Sequence, residues 1–268
     1  MRTAAILPVK RFSEAKQRLG ASVADPLRQD LARAMVGDVL SALRDCAALE
    51  RTIVVTSEES VAAAARYLGA IVVPDAAEDG QSAAVAAGIE RAVAEGFARA
   101  LCIPGDCPAL DPDEIAALLE GPPAGPAEVT ALPQVPPAGP AEVTALPQAP
   151  PAGPAEVTAL PQGPPAGTAE VVIVPDRHGT GTNGLLLTPP GVISPSFGPG
   201  SCERHIGLAR EAGVACRVEP VPSLLLDIDT GADLAALRER LAGEPPTGAR
   251  RTRKVLGVPI PASHRAPA

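Results

Sequence analysis

Short apolar runs of strand length alternate along the chain with stretches whose apolar residues return every three or four positions. Strands are predicted at Ala4–Val9, Thr52–Thr56, Ala70–Val73, Ala98–Pro104 and Glu170–Val174, then at closer spacing at Leu185–Thr188, Cys216–Val221 and Leu224–Ile228. The clearest helix covers about 26–45. Asp25 is its predicted N-cap, Pro26 its first position, and Leu27, Leu31, Met35 and Leu40 recur near helical period. A second helix opens at Asp111-Pro-Asp-Glu114, with a cap, proline at N1 and glutamate at N3. A third starts near Thr230 and carries Leu234, Leu237 and Leu241 on one face. This alternation predicts an α/β domain, a mainly parallel sheet with helices on both faces. Ligands of such sheets bind beyond the carboxyl ends of the strands. Lys10, Asp106, the 176–182 loop and Asp227/Asp229 all fall at those ends.

The middle breaks the pattern. Pro-Pro-Ala-Gly-Pro-Ala-Glu-Val-Thr-Ala-Leu-Pro-Gln occurs identically at 122–134, 136–148 and 150–162, and a diverged fourth copy runs from Pro164 to Asp176. Only the fourth contains an unbroken β-branched run, which makes it the original strand and the others a tandem duplication. A solenoid would use longer units with less proline. The Pro-rich insertion lies between a helix and the next strand, at the amino edge of a parallel sheet, opposite the expected site. Added length there costs little loop entropy. From Glu244 the chain is Pro- and Arg-rich without periodicity, and reads as a disordered basic tail over 244–268.

Composition narrows the classes. Of 268 residues 46% are hydrophobic, enough for a substantial core, but the only aromatics are Phe12, Tyr67, Phe97 and Phe197. The core is therefore aliphatic, and the scarcity of aromatics argues against base-stacking platforms for single strands. A formal charge of −8 argues against nucleic-acid duplexes as partners, though not against a nucleotide in a locally basic pocket. Five cysteines without a C-x-x-C read as reduced thiols of a cytoplasmic protein, and no apolar run is long enough to span a membrane.

Two glycine-punctuated loops carry the strongest chemical signal: Pro175-Asp-Arg-His-Gly-Thr-Gly-Thr-Asn-Gly184 and Phe197-Gly-Pro-Gly-Ser-Cys-Glu-Arg-His205. Glycines let backbone N–H groups turn toward an oxyanion, and Arg177, Thr182, Ser201, Arg204 and His205 add donors. Lys10 and Lys16 follow the first strand, where a mononucleotide-binding fold receives phosphates, yet there is no Walker motif. Asp79-Gly-Gln-Ser-Ala83 opens a helix, so Gly80 and Ser82 are candidates for a base edge or phosphate. Asp106 suits a hard cation bridging phosphate oxygens. Asp227 and Asp229 alternate on a predicted strand and would face the same way, a repulsion that a divalent cation relieves. Asp229 could instead start the final helix.

Together, Lys10 and Lys16, Gly105-Asp106-x-Pro108, Asp176-Arg177-x-Gly-Thr-Gly-Thr-Asn183, Phe197-Gly-x-Gly-Ser-x-x-Arg-His205 and Asp227-Ile-Asp-Thr230 resemble the guanylyltransferases of coenzyme F420 biosynthesis. These act on phosphoenolpyruvate or 2-phospho-L-lactate and belong to the MobA-like nucleotidyltransferases. The resemblance covers about 1–120 and 164–243, and implies one GT-A-like domain over 1–243 interrupted by the repeats at 121–162. It implies transfer of GMP from GTP to a phosphorylated three-carbon acid, with Mg²⁺ on Asp106, Asp227 and Asp229. Thr182, Gly198 and Ser201 would bind the acceptor. It also implies a downstream transferase that takes the activated product, and is compatible with a homodimer. Gly80-Gln-Ser82 departs from the Gly-Leu-Asn-type segment of many members, which leaves GTP against CTP open. Related cytidylyl- or sugar-nucleotidyltransferases, and a non-enzymatic Pro-rich interaction protein, are the rival classes.

Overall fold

The computed structural model describes residues 1–13, 16, 19, 24–121, 169–243 and 248–259. Seven strands form one sheet in the order β3-β2-β1-β4-β6-β5-β7. They are β1 (Thr3–Val9), β2 (Arg51–Thr56), β3 (Ile71–Pro74), β4 (Arg99–Cys102), β5 (Glu170–Pro175), β6 (Thr182–Thr188) and β7 (Ala215–Val218). Only β6 runs against its neighbours β4 and β5, so the sheet is mainly parallel as expected. The helices are α1 (Asp25–Asp45), α2 (Glu59–Tyr67), α3 (Gln81–Ala94), α4 (Pro112–Glu120), α5 (Ser201–Glu211), α6 (Gly231–Gly243) and α7 (Arg250–Leu256).

Period-two alternation splits the strands between two aliphatic cores. Ala5, Leu7 and Val9 of β1, with Val172 and Val174 of β5, face α1, α2 and α4. Ala4 and Ile6, with Val171 and Ile173, face α3 and α5. A third cluster joins α1 to α6 and α7 through Leu31, Met35, Ile228, Leu234, Leu237 and Leu241. Every parallel strand points its carboxyl end at the same edge, and the loops there hold the candidate residues. The segment carrying the tandem repeats lies outside the described residues. Its flanks, the end of α4 and the start of β5, lie at the opposite edge.

Four expectations need correction. Leu224–Ile228 is not a strand. Leu224 and Ile228 are both fully buried but in different clusters, and single backbone bonds (Arg177 N–H to Leu225 O, 2.8 Å; Ile228 N–H to Asp106 O, 3.2 Å) replace a ladder. Asp25 is already helical, with Ala24 at the N-cap and no side-chain cap. Asp111 does cap α4 through Asp113 N–H (2.9 Å), but Glu114 turns outward and accepts from Ser223 N–H (2.8 Å). The tail is not disordered throughout, because 248–259 contains α7, docked on α1. The buried carboxylate of Asp38 in α1 accepts from Arg251 N–H (3.0 Å) and Thr252 N–H (2.8 Å), satisfying two orphan donors at the start of α7.

Asp38→Ala should therefore cost about 1–2 kcal/mol, the value of a good helix cap. A fall of several degrees in melting temperature with earlier proteolysis within 248–259 is the expected outcome. An unchanged melting temperature would show that α7 docks without that cap.

Candidate active site

Four carboxyl-edge segments converge on one cluster of charges. Lys16, in the loop after β1, donates from Nζ to Asp106 Oδ2 and to Asp229 Oδ1 (2.7 Å). Its backbone is in the left-handed region at φ 58°, and its side chain is only 11% exposed. Burial alone would lower the ammonium's pKa, but the charges of Asp106 and Asp229 outweigh it and raise it well above the usual lysine value. Asp227 lies beside them and accepts from Asn183 Nδ2 at 3.2 Å. Burial, then the negative charge of Asp106, push its pKa up despite that bond. One ammonium thus serves a cluster of three carboxylates.

Asp229 does not cap α6. Thr230 accepts from Asp233 N–H (3.3 Å), and Asp233 Oδ2 returns to Thr230 N–H (2.7 Å), a reciprocal capping box. Asp233 also accepts from Asp229 N–H at 3.1 Å, which fixes the backbone of Asp229 and leaves its carboxylate to Lys16. Asn183 Nδ2 additionally donates to Leu224 O at 2.7 Å, so this buried amide positions the 224–229 segment. A lone amide inside an apolar strand was the available signal for Asn183, and Thr-x-x-Asp before Leu234 was the signal for the box.

Beside the cluster lies a cavity of about 290 Å³. Pro8, Phe12, Met35 and Val36 supply its apolar wall, and Lys10, Lys16, Asp75, Gly80, Gln81 and Asp106 its polar groups. Lys10 is exposed. Gly80, at φ 98°, brings the chain into the N-terminus of α3. Ser82, expected to touch a nucleotide, accepts from Phe197 N–H at 2.9 Å. That bond joins the cavity wall to the second glycine loop.

The two glycine loops do meet. Cys202 N–H donates to Thr180 O (3.1 Å), and Thr182 Oγ1 lies 3.1 Å from His205 Nδ1. Gly198 (φ 110°) and Gly200 (φ 72°) take left-handed turns that only glycine adopts cheaply, delivering buried Ser201 to the first position of α5. Three expected substrate donors are engaged elsewhere. Arg177 pairs with Asp233. Arg204 binds carbonyl oxygens of its own loop, including Ser196 O (3.0 Å) and Phe197 O (3.2 Å). His205 is completely buried. All three therefore hold the loops in shape, and Arg177 and Arg204 also remain exposed.

A divalent cation fits part of this donor set. Asp106 Oδ1 is buried without a hydrogen-bond partner, an orphaned oxygen next to an excess of negative charge. Among the described residues, however, no group of three or more His, Cys, Asp or Glu is gathered closely enough to hold a metal ion, so the expected three-carboxylate cage is not preformed. That combination suits an ion held by one or two carboxylates and by the phosphates it arrives with.

The fold and the charged carboxyl edge define a nucleotidyltransferase. Residues 19–149 match the MobA-like NTP transferase domain, and residues 164–260 match the guanylyl transferase CofC-like family. A solved chain from Desulfovibrio desulfuricans G20 assigned to the nucleotide-diphospho-sugar transferases superposes with TM-score 0.62, covering 96% of this chain and 95% of that one, at 13% identity. That likeness concerns the fold alone. The phosphoenolpyruvate guanylyltransferase of Conexibacter woesei is 41% identical over 256 residues, 96% of each chain, and that of Rubrobacter xylanophilus is 35% identical over 87% of this chain and 92% of its own. The chain belongs to the phosphoenolpyruvate guanylyltransferase family.

Two substitutions test the charge balance. Lys16→Met leaves the carboxylates without their ammonium and should cost about 1–3 kcal/mol, less than breaking a fully buried pair because Asp229 is 41% exposed. Asp227→Asn should do the opposite. A carboxyl whose folded pKa is raised loses stability as pH rises from its unfolded value through the folded one, so its removal stabilises at pH 7 and the gain fades toward pH 4. Melting temperatures across that range check both, and a lower melting temperature of Asp227→Asn at pH 7 would contradict the electrostatic reading.

Proposed function

We propose that this protein transfers GMP from GTP to the phosphate of phosphoenolpyruvate and releases pyrophosphate, forming an activated intermediate of coenzyme F420 biosynthesis in the cytoplasm. The observation that carries this reading is the Lys16–carboxylate cluster, which borders a cavity of about 290 Å³ through Lys16 and Asp106 and reaches the first glycine loop through Asn183. Family membership sets the reaction class; the cluster supplies a place for it.

In this reading the cavity takes the guanosine, with Gly80 at the base edge and Lys10 and Lys16 toward the triphosphate. Thr182, Ser201 and the backbone at Gly198 hold the acceptor. A phosphate oxygen of the acceptor attacks the α-phosphorus in line, and the bond from that phosphorus to the bridging oxygen breaks to release pyrophosphate. The acceptor is already an anion near neutral pH, so no strong general base is required. Asp106, with one of its neighbours Asp227 and Asp229, would hold Mg²⁺ together with the phosphates, and the ion would supply positive charge to offset that developing during transfer. Lys16 gives up its place between Asp106 and Asp229 and moves to the triphosphate. Ser82 acts by fixing the Phe197 loop against the cavity wall. The product is a mixed anhydride, consumed by a second transferase.

Incubation with GTP, Mg²⁺ and phosphoenolpyruvate should release pyrophosphate in proportion to acceptor consumed. Replacing GTP by CTP, or phosphoenolpyruvate by 2-phospho-L-lactate, should lower kcat/KM at least tenfold, about 1.4 kcal/mol of transition-state stabilisation. Absence of pyrophosphate release with any of these acceptors would refute the assignment.

A further inference from the structure

His205 is buried completely and makes two directional hydrogen bonds with one ring. Ser196 N–H donates to Nε2 at 2.9 Å, and Nδ1 lies 3.1 Å from Thr182 Oγ1. A backbone N–H can only donate, so Nε2 carries the lone pair. The proton of a neutral imidazole is then on Nδ1 and points at the threonine oxygen. Burial, with a smaller contribution from Arg204, lowers the ring's pKa to about 4, so the imidazole is neutral at working pH. Phe197 packs edge-on against it, ring centroids 5.2 Å apart and planes at 72°, and locks its plane. The same ring therefore anchors the second glycine loop at Ser196 and donates to one lone pair of Thr182 Oγ1 on the first, leaving the hydroxyl proton free of the ring.

We propose that His205 is a positioning residue that makes the Thr182 hydroxyl an obligate donor, aimed at the anionic acceptor. With Nδ1–H donating to Oγ1, the threonine's own proton must go elsewhere, and among the described residues no acceptor takes it. Its partner is a carboxylate or phosphate oxygen of the acceptor, an inference that rests on the function proposed above. The opposite polarity, with Thr182 donating to the ring, would present lone pairs to an anion. Selecting the Nδ1–H tautomer thus converts a neutral hydroxyl into part of an anion site without burying a charge.

Nitrogen-15 spectra test the tautomer independently of turnover. Of the three histidines, the resonances lost in His205→Gln identify this ring. The expected result is a protonated Nδ1 with an unprotonated Nε2; a protonated Nε2 overturns the proposal whatever the enzyme does. Kinetics test the consequence. Gln can accept from Ser196 and donate to Thr182 through one amide, whereas Leu does neither. His205→Leu should raise KM for phosphoenolpyruvate at least tenfold and change KM for GTP less than twofold, with His205→Gln recovering most of the loss. In a Thr182→Val background, His205→Leu should add less than twofold. Equal effects on both substrates, or no recovery by Gln, overturn the relay. Should the Leu variant not fold, Thr182→Val must itself raise acceptor KM tenfold while His205→Gln does not. A wild type active on phosphoenolpyruvate with Thr182→Val unaffected refutes this inference alone, whereas a wild type inactive on every acceptor refutes the proposed function and leaves the tautomer result to decide the relay.

Discussion

Three carboxylates and one buried ammonium share the carboxyl edge of this sheet, and that imbalance governs the arrangement around it. Asp106, Asp227 and Asp229 repel one another in a partly desolvated place, where Coulomb energies are several times those in water. The fold accepts this because Lys16 bridges two of them and Asn183 steadies the third. The cost remains visible in the raised pKa of Asp227 and in the unpartnered Asp106 Oδ1. A site under that tension is prepared for a ligand that brings positive charge with it. In the proposed function a nucleoside triphosphate carrying a divalent cation is such a ligand, and it would also give Lys16 a new anionic partner.

The rest of the structure keeps these charges in place. Asp106 follows β4, a central strand gripped by β1 and β6. Asp229 is fixed through its backbone by the Thr230–Asp233 capping box, and Arg177 ties that box to the first glycine loop. The second glycine loop is pinned twice, through Phe197 N–H to Ser82 and through Ser196 N–H to His205. Cavity wall, charge cluster and glycine loops are thus linked by hydrogen bonds from backbone N–H groups and by the Arg177–Asp233 ion pair.

Much of this was legible in the chain. Each of the seven strands overlaps a run that alternation and β-branched content pick out, although β6 begins three residues early, at Thr182, inside what reads as the first glycine loop. The glycine loops, Asp106 and Lys16 fall where a parallel sheet collects ligands. What escaped has physical reasons. Leu224–Ile228 reads as a strand because its apolar residues are dense, but their burial in two separate clusters is a tertiary fact. Arg177, Arg204 and His205 look like free donors in sequence, where nothing reveals that a loop consumes its own cations and ring nitrogens to hold its shape. The α7 segment, arginine-rich and aperiodic, is ordered by Asp38 more than two hundred residues earlier, a partner no local pattern announces. The family resemblance named the reaction; only the side-chain geometry showed which of the candidate donors already hold partners within the fold.

The central claim is that Lys16 stands in for a cation among the carboxylates until nucleotide arrives. Titrating Mn²⁺ as a paramagnetic probe into the wild type and Lys16→Met, each with and without GTP, tests it directly. The free wild type should bind Mn²⁺ weakly, GTP should tighten binding at least tenfold, and Lys16→Met without nucleotide should bind more tightly than the free wild type. Equal or weaker Mn²⁺ binding by nucleotide-free Lys16→Met would contradict the account.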